Sequence, residues 1–271
     1  MTSQTGKFDV VEVLGHGPNG ETSMAVDTVL GRVVVLKHYK AVDSGAPEMI
    51  FRSNVNSLYS ITLPSFGVIY SASPEAQESL YLAREYVNGI TMDQMVGKLG
   101  AGEKYYMVAL VAEVAHVMRT LAKAKLTHGN LKFSNLMVNQ TGHVKVLDPS
   151  VIDVPAGETD VQCLGVLAHH LWVELNPSQV DTTFESQLES LRGQFQPSEC
   201  MLDDALVETI GQCLAFEGKS VEQALDDCIE RIDQWLATHD MSRGEVLSDG
   251  AQSLNYLFLT SGAKSQFSEN A

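Results

Sequence analysis

The segment Gly15-His-Gly17-Pro-Asn-Gly20 is a G-x-G-x-x-G, and its flanks restrict the fold more than any other feature of the chain. Glycines in this spacing serve a dinucleotide site only when a strand precedes them and a helix follows. Here the apolar-rich run Phe8-Asp-Val-Val-Glu-Val-Leu-Gly15 leads in, and Glu21-Thr-Ser-Met-Ala-Val-Asp27 leads out in an equally extended pattern. A turn over Asp27–Arg32 then returns the chain as Arg32-Val-Val-Val-Leu-Lys-His-Tyr39, a third extended run that carries Lys37. Strand, glycines, strand, strand is an antiparallel start, and it rules out the doubly wound dinucleotide fold.

The rest of the pattern divides in two. Residues from Pro47 to about Ile61 show helical spacing through Ile50, Val55, Leu58 and Ile61. Phe66–Tyr70 and Leu80–Ala83 look like further strands, separated by the polar loop SASPEAQES. From about residue 91 the chain turns helical. Met107, Val111, Val114, Met118 and Leu121 recur at steps of three and four between Glu103 and Lys125, the mark of an amphipathic helix. Residues 160–175 read as a buried apolar helix, and two acidic helices follow near 203–216 and 220–238. These patterns make the chain α+β, with a β-rich domain over residues 1–87 and a helical domain over 88–240. The tail, 241–271, is expected to dock in part and fray at its end, with one apolar patch at Leu254–Leu259.

A formal net charge of −16 argues against non-specific binding to nucleic acid or to an anionic membrane. No apolar run approaches a membrane span and Met1–Asp9 lacks a signal core, so a cytoplasmic location is expected. The four cysteines (Cys163, Cys200, Cys213, Cys228) form no C-x-x-C pair and read as reduced, mostly buried thiols. His169-His170 falls in an apolar helix and reads as a core or interface pair rather than a metal site.

Six motifs in one order carry a resemblance. The glycine run resembles the glycine loop of Ser/Thr protein kinases, and Val34-Val-Leu-Lys37 their V-A-I-K. Arg84-Glu-Tyr-Val-Asn-Gly89 resembles the hinge between their lobes. His128-Gly-Asn130, with Lys132 and Asn135, is similar to the catalytic loop H-R-D-L-K-x-x-N. Val146-Leu-Asp-Pro-Ser150 stands where D-F-G belongs, and Asp160-Val-Gln-Cys-Leu-Gly-Val resembles the helix that anchors the large lobe. Cys213-Leu-Ala-Phe-Glu matches the late C-L-x-x-D segment loosely. Over residues 8–235 the resemblance implies a bilobal protein kinase-like fold, with a β-rich N-lobe containing one helix and a mostly helical C-lobe. It also implies an ATP or ADP site at Gly15, Gly17, Gly20, Lys37, Glu85, Val87, Asn135 and Asp148, with Mg²⁺ at Asn135 and Asp148.

Departures from the family pattern point to a different role. The catalytic acid is replaced by Asn130, and a neutral amide cannot act as a base, a loss worth roughly 10²–10⁴-fold in rate. Counting back from Pro64 places Asn54 where the first helix should offer Lys37 a glutamate. Only eleven residues separate Asp148 from Asp160, too few for an activation segment. Pro149 and Ser150 replace Phe and Gly. Val35 narrows the adenine position and Arg84 takes the gatekeeper position, so both are candidates to occlude the pocket. Arg84 has three open readings: pairing with Asp148, pairing with a nucleotide phosphate, or facing solvent. The expectation is a pseudokinase, a regulatory or scaffolding protein with protein partners that retains nucleotide binding at most. The alternative is a weak or atypical ATP-dependent phosphotransferase.

Overall fold

Val34, Val35 and Leu36 are consecutive in a strand and all buried, so this strand needs cover on both faces. It is the central one. In the computed structural model, β1 (Phe8–Gly17), β2 (Gly20–Asp27), β3 (Arg32–Tyr39), β4 (Ile69–Ala72) and β5 (Tyr81–Glu85) form an antiparallel sheet in the order β1-β2-β3-β5-β4. One face packs Phe8, Ala25, Val34, Leu36 and Ala83 into a core with Val10, Tyr70 and Tyr81 against it. On the other, Tyr39 meets Phe51 of α1 (Ala46–Tyr59) edge to face, with ring centroids 5.4 Å apart. The inner stripe of α1 is Phe51, Val55 and Leu58. Ile50, expected on that stripe, is 44% exposed, and Ile61 lies beyond the helix end. The described residues are 7–17, 20–40, 46–73, 80–95, 103–152, 156–172, 187–188, 191, 203–217 and 220–250. Pro18, Asn19, Cys200 and the Leu254–Leu259 patch therefore lie outside them.

This sheet and α1 belong to one unit, Met1–Val87, which also takes in Val151–Asp153. The other unit is Asn88–Ser150 with Val154–Ala271. It contains three short strands that the sequence pattern did not signal: β6 (Gly89–Thr91), β7 (Leu136–Asn139) and β8 (Val144–Val146), antiparallel in that order. Strands of three or four residues are too short to display an alternation. Gly89 permits their pairing, since a Cβ there would stand 2.2 Å from the Val138 carbonyl oxygen.

The described helices of this unit include α2 (Met92–Met95), α3 (Lys104–Lys123), α4 (Glu158–Trp172), α5 (Asp204–Leu214), α6 (Val221–Ala237) and α7 (residues 243–250). Helix α3 buries the foreseen stripe and also Val108, Leu110, Ala112 and Val117, so it is enclosed nearly all round. At Gly165 helix α4 touches the end of α5 so closely that a Cβ would lie 2.8 Å from the Leu214 nitrogen. Helix α7 opens with a capping box. The Glu245 N–H donates to Ser242 Oγ (3.3 Å), and Glu245 Oε2 accepts from the Ser242 N–H (3.0 Å). Val246 and Leu247 are buried, and Gly250 packs on the ring of Tyr106 in α3. The first part of the expected tail is thus an ordinary helix of this unit.

One contact positions the loop between α3 and β7. Asp160, in the first turn of α4, is 3% exposed and accepts the N–H groups of His128 (2.7 Å) and Gly129 (2.9 Å), one on each carboxylate oxygen. Burial raises its pKa, to about 6, against the opposing pull of the two N–H donors, and both of its oxygens act as acceptors. Replacing Asp160 with Asn leaves one acceptor and turns an NH₂ group toward a backbone donor. Asp160→Asn is predicted to lower stability by about 1–3 kcal/mol, measured by urea unfolding at pH 7, with the cost arising from an unsatisfied buried N–H.

Candidate functional site

The candidate residues of the sheet unit stand on adjoining strands. Register places Val35 opposite Met24 on one side and Arg84 on the other, while Lys37 stands between Thr22 and Leu82. Registered partners share a face, so Val35, Lys37 and Arg84 project from the same side of the sheet. Arg84 is 8% exposed, and this overturns the solvent-facing reading. Its guanidinium donates to the Glu85 carbonyl at 3.1 Å, and the face carries two cations, one of them buried. Val35 is 4% exposed. The glycines divide by role. Gly15 and Gly17 are exposed, and a Cβ at Gly15 would meet nothing within 4 Å. Gly20 has φ +154°, and a Cβ there would fall 1.8 Å from the His38 carbonyl oxygen, so its glycine is required by the sheet itself.

Asn54 projects from α1 as the spacing predicted, but its amide is engaged with the backbone. Its Nδ2 donates to the Val151 carbonyl at 3.1 Å, and Val151 is 1% exposed. A side chain that in a glutamate would be anionic is here a donor to a carbonyl. Glu85 accepts the Val68 N–H through its carboxylate (3.2 Å) and donates its own N–H to the Val68 carbonyl (2.8 Å). Val87 is buried at the end of this unit.

In the second unit hydrogen bonds join the loop residues to one another and to the segment after β8. His128 is fully buried, and its ring links two segments: Nε2 donates to the Leu147 carbonyl (3.0 Å) and Nδ1 accepts the Asn130 N–H (3.3 Å). Those roles fix a neutral imidazole with its hydrogen on Nε2. The segment Leu147–Ser150 is held twice more through its backbone, by Leu147 N–H to Asn135 O (2.9 Å) and Ser150 N–H to His128 O (2.7 Å). Asn130 Nδ2 donates to the Asp148 carbonyl at 2.8 Å, and Asn135 Nδ2 donates to the Asn130 carbonyl at 2.7 Å. Lys132 precedes the 3₁₀ turn Phe133–Asn135, and its carbonyl accepts the Asn135 N–H at 3.0 Å.

Asp148 has φ +57°, a left-handed conformation costing a non-glycine residue on the order of 1–2 kcal/mol. The Asn130 bond holds that strained carbonyl in place. Nothing in the sequence pattern signals this bond or the one from Asn54, because each joins a side chain to a backbone carbonyl 18 or 97 residues away. Two hard oxygen donors remain suited to a divalent cation: the Asp148 carboxylate and the Asn135 amide oxygen, whose nitrogen is engaged elsewhere. His169 and His170 are buried side by side as expected, and no group of three or more His, Cys, Asp or Glu able to hold a metal exists among the described residues. No helix of the described residues is long and apolar enough to cross a membrane.

Known proteins match this architecture over its first half. Residues 8–152 match the family model of the protein kinase domain. A probable serine/threonine protein kinase IRE of Arabidopsis thaliana is 30% identical over 144 residues, 52% of this chain and 12% of that protein. The serine/threonine-protein kinase PknB of Mycobacterium leprae is 26% identical over 161 residues, 57% of this chain and 26% of its own length. PrkC of Bacillus subtilis, also a serine/threonine-protein kinase, is 23% identical over 171 residues, 62% of this chain and 26% of its own. The chain thus spans about a quarter or less of these relatives. With the antiparallel sheet, the lysine on β3 and the ordered loop from His128 to Asp148, this places the chain in the protein kinase family.

Proposed function

We propose that this protein is a pseudokinase: a kinase-family regulatory or scaffolding protein that does not transfer phosphate. The observation that carries the reading is the bond from Asn130 Nδ2 to the Asp148 carbonyl. A phosphotransferase needs, at this position, an acceptor that can orient a hydroxyl and take its proton. Asn130 presents a neutral amide that cannot take the proton, and its Nδ2 is committed to the backbone. Asn54 supports the same conclusion, since its amide engages Val151 and supplies no carboxylate to organise Lys37.

Binding of a nucleotide is a separate matter from turnover. Lys37 and the buried Arg84 give one sheet face a positive character suited to phosphate, and Gly15 and Gly17 leave the β1–β2 hairpin open to close approach. Asp148 and Asn135 would hold Mg²⁺, which when bound would neutralise phosphate charge. The chain's own residues then position the ligand and hold Asp148, and the protein acts through partners that distinguish its conformations.

Two outcomes test this. Incubation with [γ-³²P]ATP and Mg²⁺ or Mn²⁺ is predicted to give no incorporation above that of an Asp148→Ala control, and Asn130→Asp alone is predicted not to restore it. Incorporation by the wild type that vanishes in Lys37→Ala would establish the weak-transferase alternative. In thermal unfolding, a nucleotide at 100 times its Kd should stabilise by about 2.7 kcal/mol. A midpoint shift with ATP in the wild type that shrinks in Arg84→Met identifies Arg84 as a phosphate ligand. A shift seen only in Arg84→Met identifies it as a plug.

A further inference from the structure

Helices α4, α5 and α6 enclose a cavity of about 280 Å³ that the nucleotide machinery does not use. Its apolar wall is Val161, Cys213, Phe216, Ala224 and Cys228, and both cysteines are buried free thiols. The contact at Gly165 sets this wall. A Cβ there would also lie 2.9 Å from Cys213 Cβ, so α5 can seat Cys213 here only while residue 165 is glycine. A second hollow, about 640 Å³, adjoins the first and shares Asp227 and Arg231 with it. It runs along α6 past Glu230 to Trp235.

The charge around these hollows is one-sided. Residues 203–237 hold nine acids (Asp203, Asp204, Glu208, Glu217, Glu222, Asp226, Asp227, Glu230, Asp233) against Lys219 and Arg231, a net −7 within the chain's −16. Arg231 is already engaged with Glu208 at 3.0 Å. At the mouth, Asp227 accepts from the amide of Gln223 (2.8 Å) and Glu230 from that of Gln234 (2.9 Å). Those partners are neutral, and neither carboxylate forms an ion pair among the described residues. Carboxylates of one sign beside an open apolar cavity attract a cation carrying an apolar group.

We propose that this cavity is a docking site for a basic peptide segment of a partner protein. One large apolar side chain of the segment enters between Phe216, Ala224 and Cys228, and its flanking Lys or Arg residues meet Asp227 and Glu230. An apolar anchor in a desolvated pocket with charges on the rim is the arrangement that concentrates binding energy in few residues. The site lies on three helices of the second unit and stands whether or not the protein transfers phosphate, so its test is independent of that reading.

The probe is a fluorescein-labelled peptide of Lys and Gly with one central Phe, titrated with the full chain and followed by anisotropy. Saturable binding is expected, weakened at least tenfold when the Phe is replaced by Ser. Binding should weaken several-fold in the double variant Asp227→Asn, Glu230→Gln, and its salt dependence should flatten. Ala224→Trp, which fills the cavity, should abolish binding. In the wild type the Phe peptide should slow amide exchange over residues 213–231, a readout that needs no variant. The proposal is overturned if the Phe and Ser peptides bind equally, if Ala224→Trp binds as the wild type does, or if protection falls elsewhere. Absence of binding at millimolar peptide overturns it as well.

Discussion

Two backbone N–H groups held by one buried carboxylate set the geometry on which the rest of the loop unit depends. Asp160 reaches from α4 to His128 and Gly129, and the fixed His128 passes the constraint to Leu147 through its ring and to Ser150 through its carbonyl. The loop and the segment that follows β8 are therefore positioned together by a helical residue 31 and 32 positions away in sequence. The two charge-assisted bonds offset only part of the cost of burying this carboxylate, and removing either partner leaves an unsatisfied group.

This frame survives the exchange of the acid at position 130. In a kinase the frame presents a carboxylate, whereas here it presents an amide whose nitrogen points at the Asp148 carbonyl. The position has changed from an acceptor facing a substrate to a donor facing the chain. Asn54 shows the same change of role, from an expected ion-pair acid to a donor on Val151. On the proposed pseudokinase reading, this conversion of acceptors to internal donors leaves conformation, rather than chemistry, as the output.

Much of this was legible in the sequence because kinase motifs tie particular residues to particular elements. The glycine hairpin, Lys37 on β3, helix α1 and the order His128, Asn130, Asn135, Asp148 all follow from spacing. What spacing could not reveal has physical causes. Strands β6–β8 are too short to show an alternation. The inner face of α1 shifts from Ile50 to Phe51 because Tyr39 offers an aromatic partner on the sheet. The bonds from Asn54 and Asn130 to backbone carbonyls leave no pattern, since any residue supplies a carbonyl. The spacing of the acids of α5 and α6 gives no sign of the cavity beside them, because its lining is assembled from three separate helices.

The central claim is that residue 130 is a structural donor to a strained carbonyl, and it is tested most directly by comparing the unfolding free energies of Asn130→Ala and Asn130→Asp. Alanine removes the bond, at a cost of about 0.5–1.5 kcal/mol. Aspartate also sets a carboxylate against the Asp148 carbonyl, so the account predicts a larger loss for Asp than for Ala. Asn130→Asp as stable as the wild type, or more so, would contradict it.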